Sequence, residues 1–253
     1  MKSKILLSAL FFITFSSVKA QTDSTIATPE AKKYSSGFAV FAEFGVLSNS
    51  SFTNLRRQLK VLGAEPFGSL MSSIVLARRM ESNRWIAENR IILMNSSKPN
   101  DEVDQKRASL WGIGLGMNVG PKLVNNTKWN VFIPVGFDAM FYKLGVKSNY
   151  TASLGKVITN PGNYQAVKLY SGSLNLNAGV GIDYKTGIMP KHFEKFYISS
   201  KVSYHLPIAS SGQWRGENVQ VTDVSTFKPN QLYLSIGVVM VAKNKHGKWG
   251  GMH

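Results

Sequence analysis

The chain contains no cysteine, which excludes disulfides, thiolate metal sites, a cysteine nucleophile and an acylated N-terminal cysteine. Beyond its first residues, no stretch approaches 18 consecutive apolar positions. A transmembrane helix is therefore not expected, although β-barrels also satisfy every backbone group internally and so remain open. Acidic residues are scarce: 14 Asp and Glu stand against 30 Lys and Arg, for a net charge of +16. Such a balance favours polyanions, whether nucleic acid, anionic lipid headgroups or the phosphates of lipopolysaccharide. The four histidines, His192, His205, His246 and His253, are spaced in a way that suggests no ligand pair. Neither G-x-S-x-G, G-x-x-x-x-G-K nor H-E-x-x-H occurs, so no catalytic motif, metal site or cofactor is expected.

What is present starts with Lys2 and Lys4, the apolar run Ile5 to Phe15 and the small-x-small triplet Val18-Lys19-Ala20. This is the pattern of a signal peptide over residues 1–20, cut between Ala20 and Gln21 for Sec export. The apolar run is too short to be an anchor, since spanning a bilayer takes roughly 20 residues. Export removes nucleic acid from the list of partners. Residues 21–36, "QTDSTIATPEAKKYSS", are polar and aperiodic and read as a flexible periplasmic leader.

From residue 37 the pattern alternates with period two, the signature of strands. Eight segments show it: 37–47, 69–80, 84–94, 109–119, 128–142, 166–184, 196–206 and 232–242. Each is about as long as the 9–11 residues a tilted strand needs to cross a bilayer. Their connections alternate too: "ESN", "GPKLVNNT" and "KTGIMPKHFEK" are short, whereas 48–68, 95–108, 143–165 and 207–231 are long. Short periplasmic turns and long outer loops are what an even-stranded up-and-down barrel requires, and a β-sandwich has no reason to sort its loops this way.

The two faces differ as a lipid-facing barrel demands. Tyr170, Leu174, Leu176, Ala178, Val180, Ile182 and Tyr184 share one face of the sixth segment; Ser173, Asn175, Asn177, Gly179, Gly181 and Asp183 share the other. The seventh repeats the split, where a soluble lipocalin-like barrel would reverse it. Aromatic girdles are expected from Trp85, Trp129, Tyr184 and Phe196 at the short-turn end and from Trp111, Phe141, Tyr170 and Tyr233 at the long-loop end. In the first long loop Phe52, Leu55, Leu59 and Leu62 share one helical face, ended by Gly63 and Pro66. Two placements suit that helix: a lid on the outer leaflet, or a cover packed over the barrel mouth.

This arrangement resembles the small eight-stranded outer-membrane barrels of the OmpA-like and OmpX-like type, and the group known as outer-membrane β-barrel domains. The likeness runs over residues 37–242 through "GFAVFAEFGV", "NLRRQLKVLGAEPF", "VFIPVGFDAMFY" and "LYLSIGVVMV". Such barrels usually end on an aromatic residue read by the barrel-assembly machinery, whereas here the tail "KNKHGKWGGMH", residues 243–253, follows. The resemblance implies an all-β, eight-stranded antiparallel up-and-down transmembrane β-barrel with a short amphipathic helix in the first extracellular loop. It also implies the cell outer membrane as location, outer-membrane lipids, lipopolysaccharide among them, and the assembly machinery as partners, and a monomer.

Within such a barrel, Glu43, Glu88, Arg90, Asp138, Asp183 and Lys201 fall on inward positions, joined by Arg78 or Arg79. Charges in so narrow a lumen must pair, which predicts a structural plug. Gly112, Gly114 and Gly116 alternate in "LWGIGLGMNVG" without the spacing of a dinucleotide turn. They predict a bare inner stripe that lets Arg90 or Asp138 cross the lumen. Arg56, Arg57 and Lys60 on the helix are candidate outer-surface anion contacts, within a wider basic set of Lys98, Arg107, Lys143, Lys147, Lys156 and Arg215 assigned to long loops. The function expected is non-enzymatic, structural or surface-binding. A lipid-modifying acyl hydrolase or acyltransferase, or a narrow ion channel, is the alternative; Ser203 and His205 are the pair closest to a hydrolytic site, and both are predicted to face inward.

Overall fold

The computed structural model describes residues 34–47, 49–96, 106–148, 154–159, 166–187, 193–216 and 228–242. The signal peptide, nearly all of the leader and the tail lie outside them.

Among the described residues there are ten strands: β1 (Ser35–Val46), β2 (Ala64–Glu65), β3 (Leu70–Glu81), β4 (Trp85–Ser96), β5 (Lys106–Asn125), β6 (Trp129–Phe132), β7 (Val135–Ser148), β8 (Val167–Thr186), β9 (Phe193–Ser210) and β10 (Gln231–Ala242). β6 and β7 are one wall strand, nominally broken because Pro134 has no N–H to give the ladder. Across the break Ile133 still donates to Pro121 O and Pro134 O accepts from Gly179. The result is a ring of eight antiparallel wall strands, which β1 closes by pairing with both β3 and β10. Closure removes the exposed edges that an open sheet would present.

Directly opposed residues lead around the ring from Gly37 through Arg79, Glu88, Asn118, Gly136, Asn177 and His205 to Gln231. Gln231 lies two residues before Tyr233, the partner of Gly45. The path thus returns to β1 about ten residues from its start, a stagger that goes with strands tilted by roughly 35–45°.

Several strands run further than their apolar alternation. β5, β8 and β9 span 20, 20 and 18 residues. The turn between β5 and β6 shrinks to residues 126–128, held by Asn126 Oδ1 accepting from the N–H groups of Lys128 and Trp129. At the far end Lys143 and Lys147 lie on β7 rather than in a loop. Hydropathy marks where a strand meets lipid, but the hydrogen-bond ladder continues into water with polar side chains.

Helix α1 (Ser50–Val61) begins at Asn49, whose side chain accepts from Phe52 N at 3.0 Å and whose Nδ2 donates to Asn230 O. It ends through Gly63, whose φ of 72° is the left-handed turn that favours glycine. Phe52, Leu55 and Leu59 are buried in the same cluster as the barrel-lining Met71, Met94 and Leu110. Of the two placements expected from the sequence, the structure has the helix covering the mouth.

Candidate functional site

The lumen has two layers. Toward the short turns it is charged. Arg79 is fully buried, its Nη1 3.0 Å from Asp183 Oδ2 and its Nε 3.2 Å from Glu88 Oε1. Glu88 Oε2 takes Lys201 Nζ at 2.7 Å. Arg90 reaches Asp138 at 2.8 Å and Glu43 at 3.6 Å, and Ser235 donates to Glu43 at 2.9 Å. Two of these cations also lie over aromatic faces, Lys201 over Phe41 and Arg79 over Phe132. All six charges assigned inward from the sequence are buried and meet in these pairs, with Asn177 completing Asp138 at 2.7 Å.

Arg79 and not Arg78 joins them; Arg78 points out from the wall opposite Asn89. Sequence reasoning missed a further group. Glu81, read as turn, is buried and accepts from Lys195 at 2.8 Å and from the Tyr197 hydroxyl at 2.9 Å, with Lys122 at 3.5 Å. The signal was there, because Glu81 continues the inward parity of Arg79. Each buried carboxylate thus faces a cation, so the layer is close to neutral. That is the requirement for placing ions in a dry, narrow space.

The glycine stripe has a concrete use. A Cβ at Gly116 would collide with the Asp138 carboxylate, one at Gly114 with Met140, and one at Gly112 would come 2.5 Å from Met94 Cγ. Asp138 crosses there, as one of the two charges expected; the other occupants are methionines rather than Arg90.

Toward the loops the lumen is apolar, not small or polar as strands six and seven of the sequence pattern suggested. Met71, Met94, Leu110, Met140, Tyr142, Leu144 and Tyr233 fill it, and Phe52, Leu55, Phe67 and Trp214 close it from above. Tyr233, assigned to the outer girdle, is inside and packs on His205 at 4.4 Å between centroids. Its odd position on β10 shares the face of Ser235 and Val239, which are also buried.

At the boundary of the two layers, Ser203 Oγ lies 3.2 Å from His205 Nε2, and His205 Nδ1 lies 3.2 Å from Asp138 Oδ2. The order hydroxyl, imidazole, carboxylate is that of a hydrolytic triad. Here it faces a filled lumen, and its carboxylate is already shared with Arg90 and Asn177. The strand that carries both Ser203 and His205 is paired on one side with β8 and on the other with β10. His205 is the one of the four histidines that falls among the described residues. Among those residues no group of three or more His, Asp and Glu could hold a metal ion.

The outer wall is the reverse of the lumen. Ile74, Ile91, Leu115, Phe137, Leu176, Val180, Val202 and Ile236 project from successive strands around the circumference, each between about two-fifths and three-fifths exposed. A water-facing protein does not leave an unbroken apolar band around itself, whereas a barrel in lipid must. The chain is an eight-stranded transmembrane β-barrel. Its band is edged by aromatics: Trp129 packs on Tyr184 at 4.6 Å near the short turns, and Phe141 stacks on Tyr170 at 5.6 Å beside Trp111 near the loops. The helix cations sit above: Arg57 and Lys60 are exposed and Arg56 half-buried.

No family model matches this barrel, and no curated protein matches it. Among solved structures it is similar to Ail, the attachment invasion locus protein of Yersinia pestis, at 11% identity with a TM-score of 0.44, over 83% of this chain and 99% of that one. It is also similar to a major outer membrane protein from Thermus thermophilus, at 12% identity with a TM-score of 0.40, over 81% and 98% of the two chains.

Proposed function

We propose that this barrel is a non-enzymatic, structural and surface-binding protein of the outer membrane, working as a monomer with a plugged lumen. The observation that carries the reading is the filling of the lumen from end to end, by ion pairs below and by Met94, Met140, Tyr142 and Phe52 above. Eight strands leave a bore just wide enough for side chains, and here they occupy it. An apolar band that encircles the wall supports a monomer in lipid. The barrel-assembly machinery inserts it, and outer-membrane lipids, lipopolysaccharide among them, are its surroundings. Planar-bilayer recording on the refolded full chain tests the plug: the expected trace is a closed baseline, and a steady conductance would overturn it in favour of a channel.

The Ser203–His205–Asp138 chain gives the enzyme reading its one specific support. A fluorophosphonate probe, with lipid A and phospholipid mass spectra taken with and without the protein, decides it. The plugged-barrel reading expects no labelling and unchanged lipids; labelling that disappears in S203A would establish the hydrolase instead.

A further inference from the structure

The extension of β7 and β8 past the lipid band places cations on the wall. Outward positions on β7 read Phe141, Lys143, Gly145 and Lys147, and on β8 they read Gly172, Tyr170 and Lys168. Lys143 stands opposite Tyr170, and Lys168 opposite Gly145. Arg215 adds a short bridge on the far side of Tyr170, with N–H···O bonds of 2.8 and 3.0 Å in the two directions. Its neighbour Trp214 is buried, so Arg215 faces out with Tyr170. Lys143, Lys147, Lys168 and Arg215 are all exposed.

Three features separate this cluster from scattered surface charge. Lys143 and Lys168 occupy diagonal positions on paired strands, so the ladder roots two like charges about 7–8 Å apart. Between Lys143 and Lys147 the wall is bare: a Cβ on Gly145 would meet only Ser109 Oγ, at 3.3 Å, so the cations flank a shallow notch. The cluster is also one-sided. On β1, β3, β9 and β10 the outward positions toward the loops include Val46, Leu70, Ile208 and Leu232, all apolar. Arg107 adjoins the cluster through its pairing with Lys147, but it also lies opposite Glu65 of β2 and is left out of the site.

We propose that this notch binds a phosphate-bearing lipid of the outer leaflet. Its headgroup phosphate sits over Gly145 among Lys143, Lys147, Lys168 and Arg215, and its acyl chains run down the wall over Phe141, Tyr170 and Trp111. The depth argues for a lipid over a soluble polyanion. Lys143 follows Phe141 on the same face, so the charges begin where the aromatic band ends, at the level of the headgroups. The proposal deepens the surface-binding reading above and rests on it. It moves the anion contact from the helix cations Arg57 and Lys60 to the wall.

The test uses the full chain folded in detergent, with native mass spectrometry of retained diphosphoryl lipid A against the same lipid dephosphorylated. The wild-type protein is expected to retain the phosphorylated form at least a hundredfold better, from about fivefold for each of four cations. The K143S/K168S/R215S variant should lose that preference by roughly a hundredfold, from about fivefold per cation, while R57S/K60S keeps it. Equal retention of both lipids by a folded barrel would overturn the site, as would loss in R57S/K60S and not in the wall variant. If the triple variant does not fold, K168S alone must lower retention about fivefold, and an unchanged value overturns the proposal. A protein that never gains a heat-modifiable folded band in lipid would instead fail the barrel reading itself, so the two failures are distinct.

Discussion

Replacing Arg79 with Met removes a cation that holds two carboxylates, Glu88 and Asp183, together inside the barrel. Glu88 keeps Lys201 at 2.7 Å, but Asp183 loses the guanidinium that grips it at 3.0 and 3.4 Å. A charge pair about 4 Å apart is worth about 4 kcal/mol at an effective dielectric near 20. Leaving the fully buried Asp183 without its partner therefore costs about 3–5 kcal/mol. Methionine fills much of the arginine stem volume, so the cavity contribution is small and the loss is mainly electrostatic. Arg79→Met/Asp183→Asn removes the orphaned charge and should recover about half of that loss or more. Urea titration of the refolded barrel in lipid vesicles, read by heat-modifiable migration and tryptophan fluorescence, measures both variants. If R79M lies within about 1 kcal/mol of the parent, or the double variant is no better than R79M, the ion pairs do not hold the lumen as argued.

Gly116→Val drives a side chain into the Asp138 carboxylate and should cost about 1–3 kcal/mol or block refolding, whereas Gly145→Ala, whose Cβ meets only Ser109 Oγ, should leave the urea midpoint unchanged. Leu55→Ala/Leu59→Ala empties part of the mouth cover and is expected to cost about 2–5 kcal/mol for each residue. Proteolysis of helix α1 should then become faster; a helix that stays as resistant as in the parent would argue that it is held otherwise. In single-tryptophan variants, brominated lipids should quench Trp85, Trp111 and Trp129, which are about half exposed on the wall, and leave the fully buried Trp214 bright; strong quenching of Trp214 would contradict the inward placement of its loop.

Much of this molecule is legible before folding, because a strand in a bilayer has only two faces. Alternation assigned Leu174, Leu176 and Val180 to lipid and Asn175, Asn177 and Asp183 to the lumen, and it placed Glu43, Glu88, Arg90, Asp138, Asp183 and Lys201 on the inward side. Loop lengths supplied the up-and-down topology, and the helical spacing of Phe52, Leu55 and Leu59 revealed the cover. These are local properties, readable from residues a few positions apart.

What lay beyond that reach is pairing across the lumen and depth along the strand. Choosing Arg79 over Arg78 required the register of β3, since one residue turns a side chain from core to lipid. Including Glu81, Lys122 and Lys195 required knowing that the strands continue past their apolar runs. Tyr233 looked like a girdle residue because aromatics suit both a membrane interface and a packed interior, and only its parity on β10 separates the two. The contacts of Asp138 with Arg90 and Asn177 join residues 48 and 39 positions apart in the chain, and its contact with His205 reaches a further wall strand. Periodicity says which way each of those side chains points; ring closure and stagger set which of them meet, and therefore that the barrel is filled.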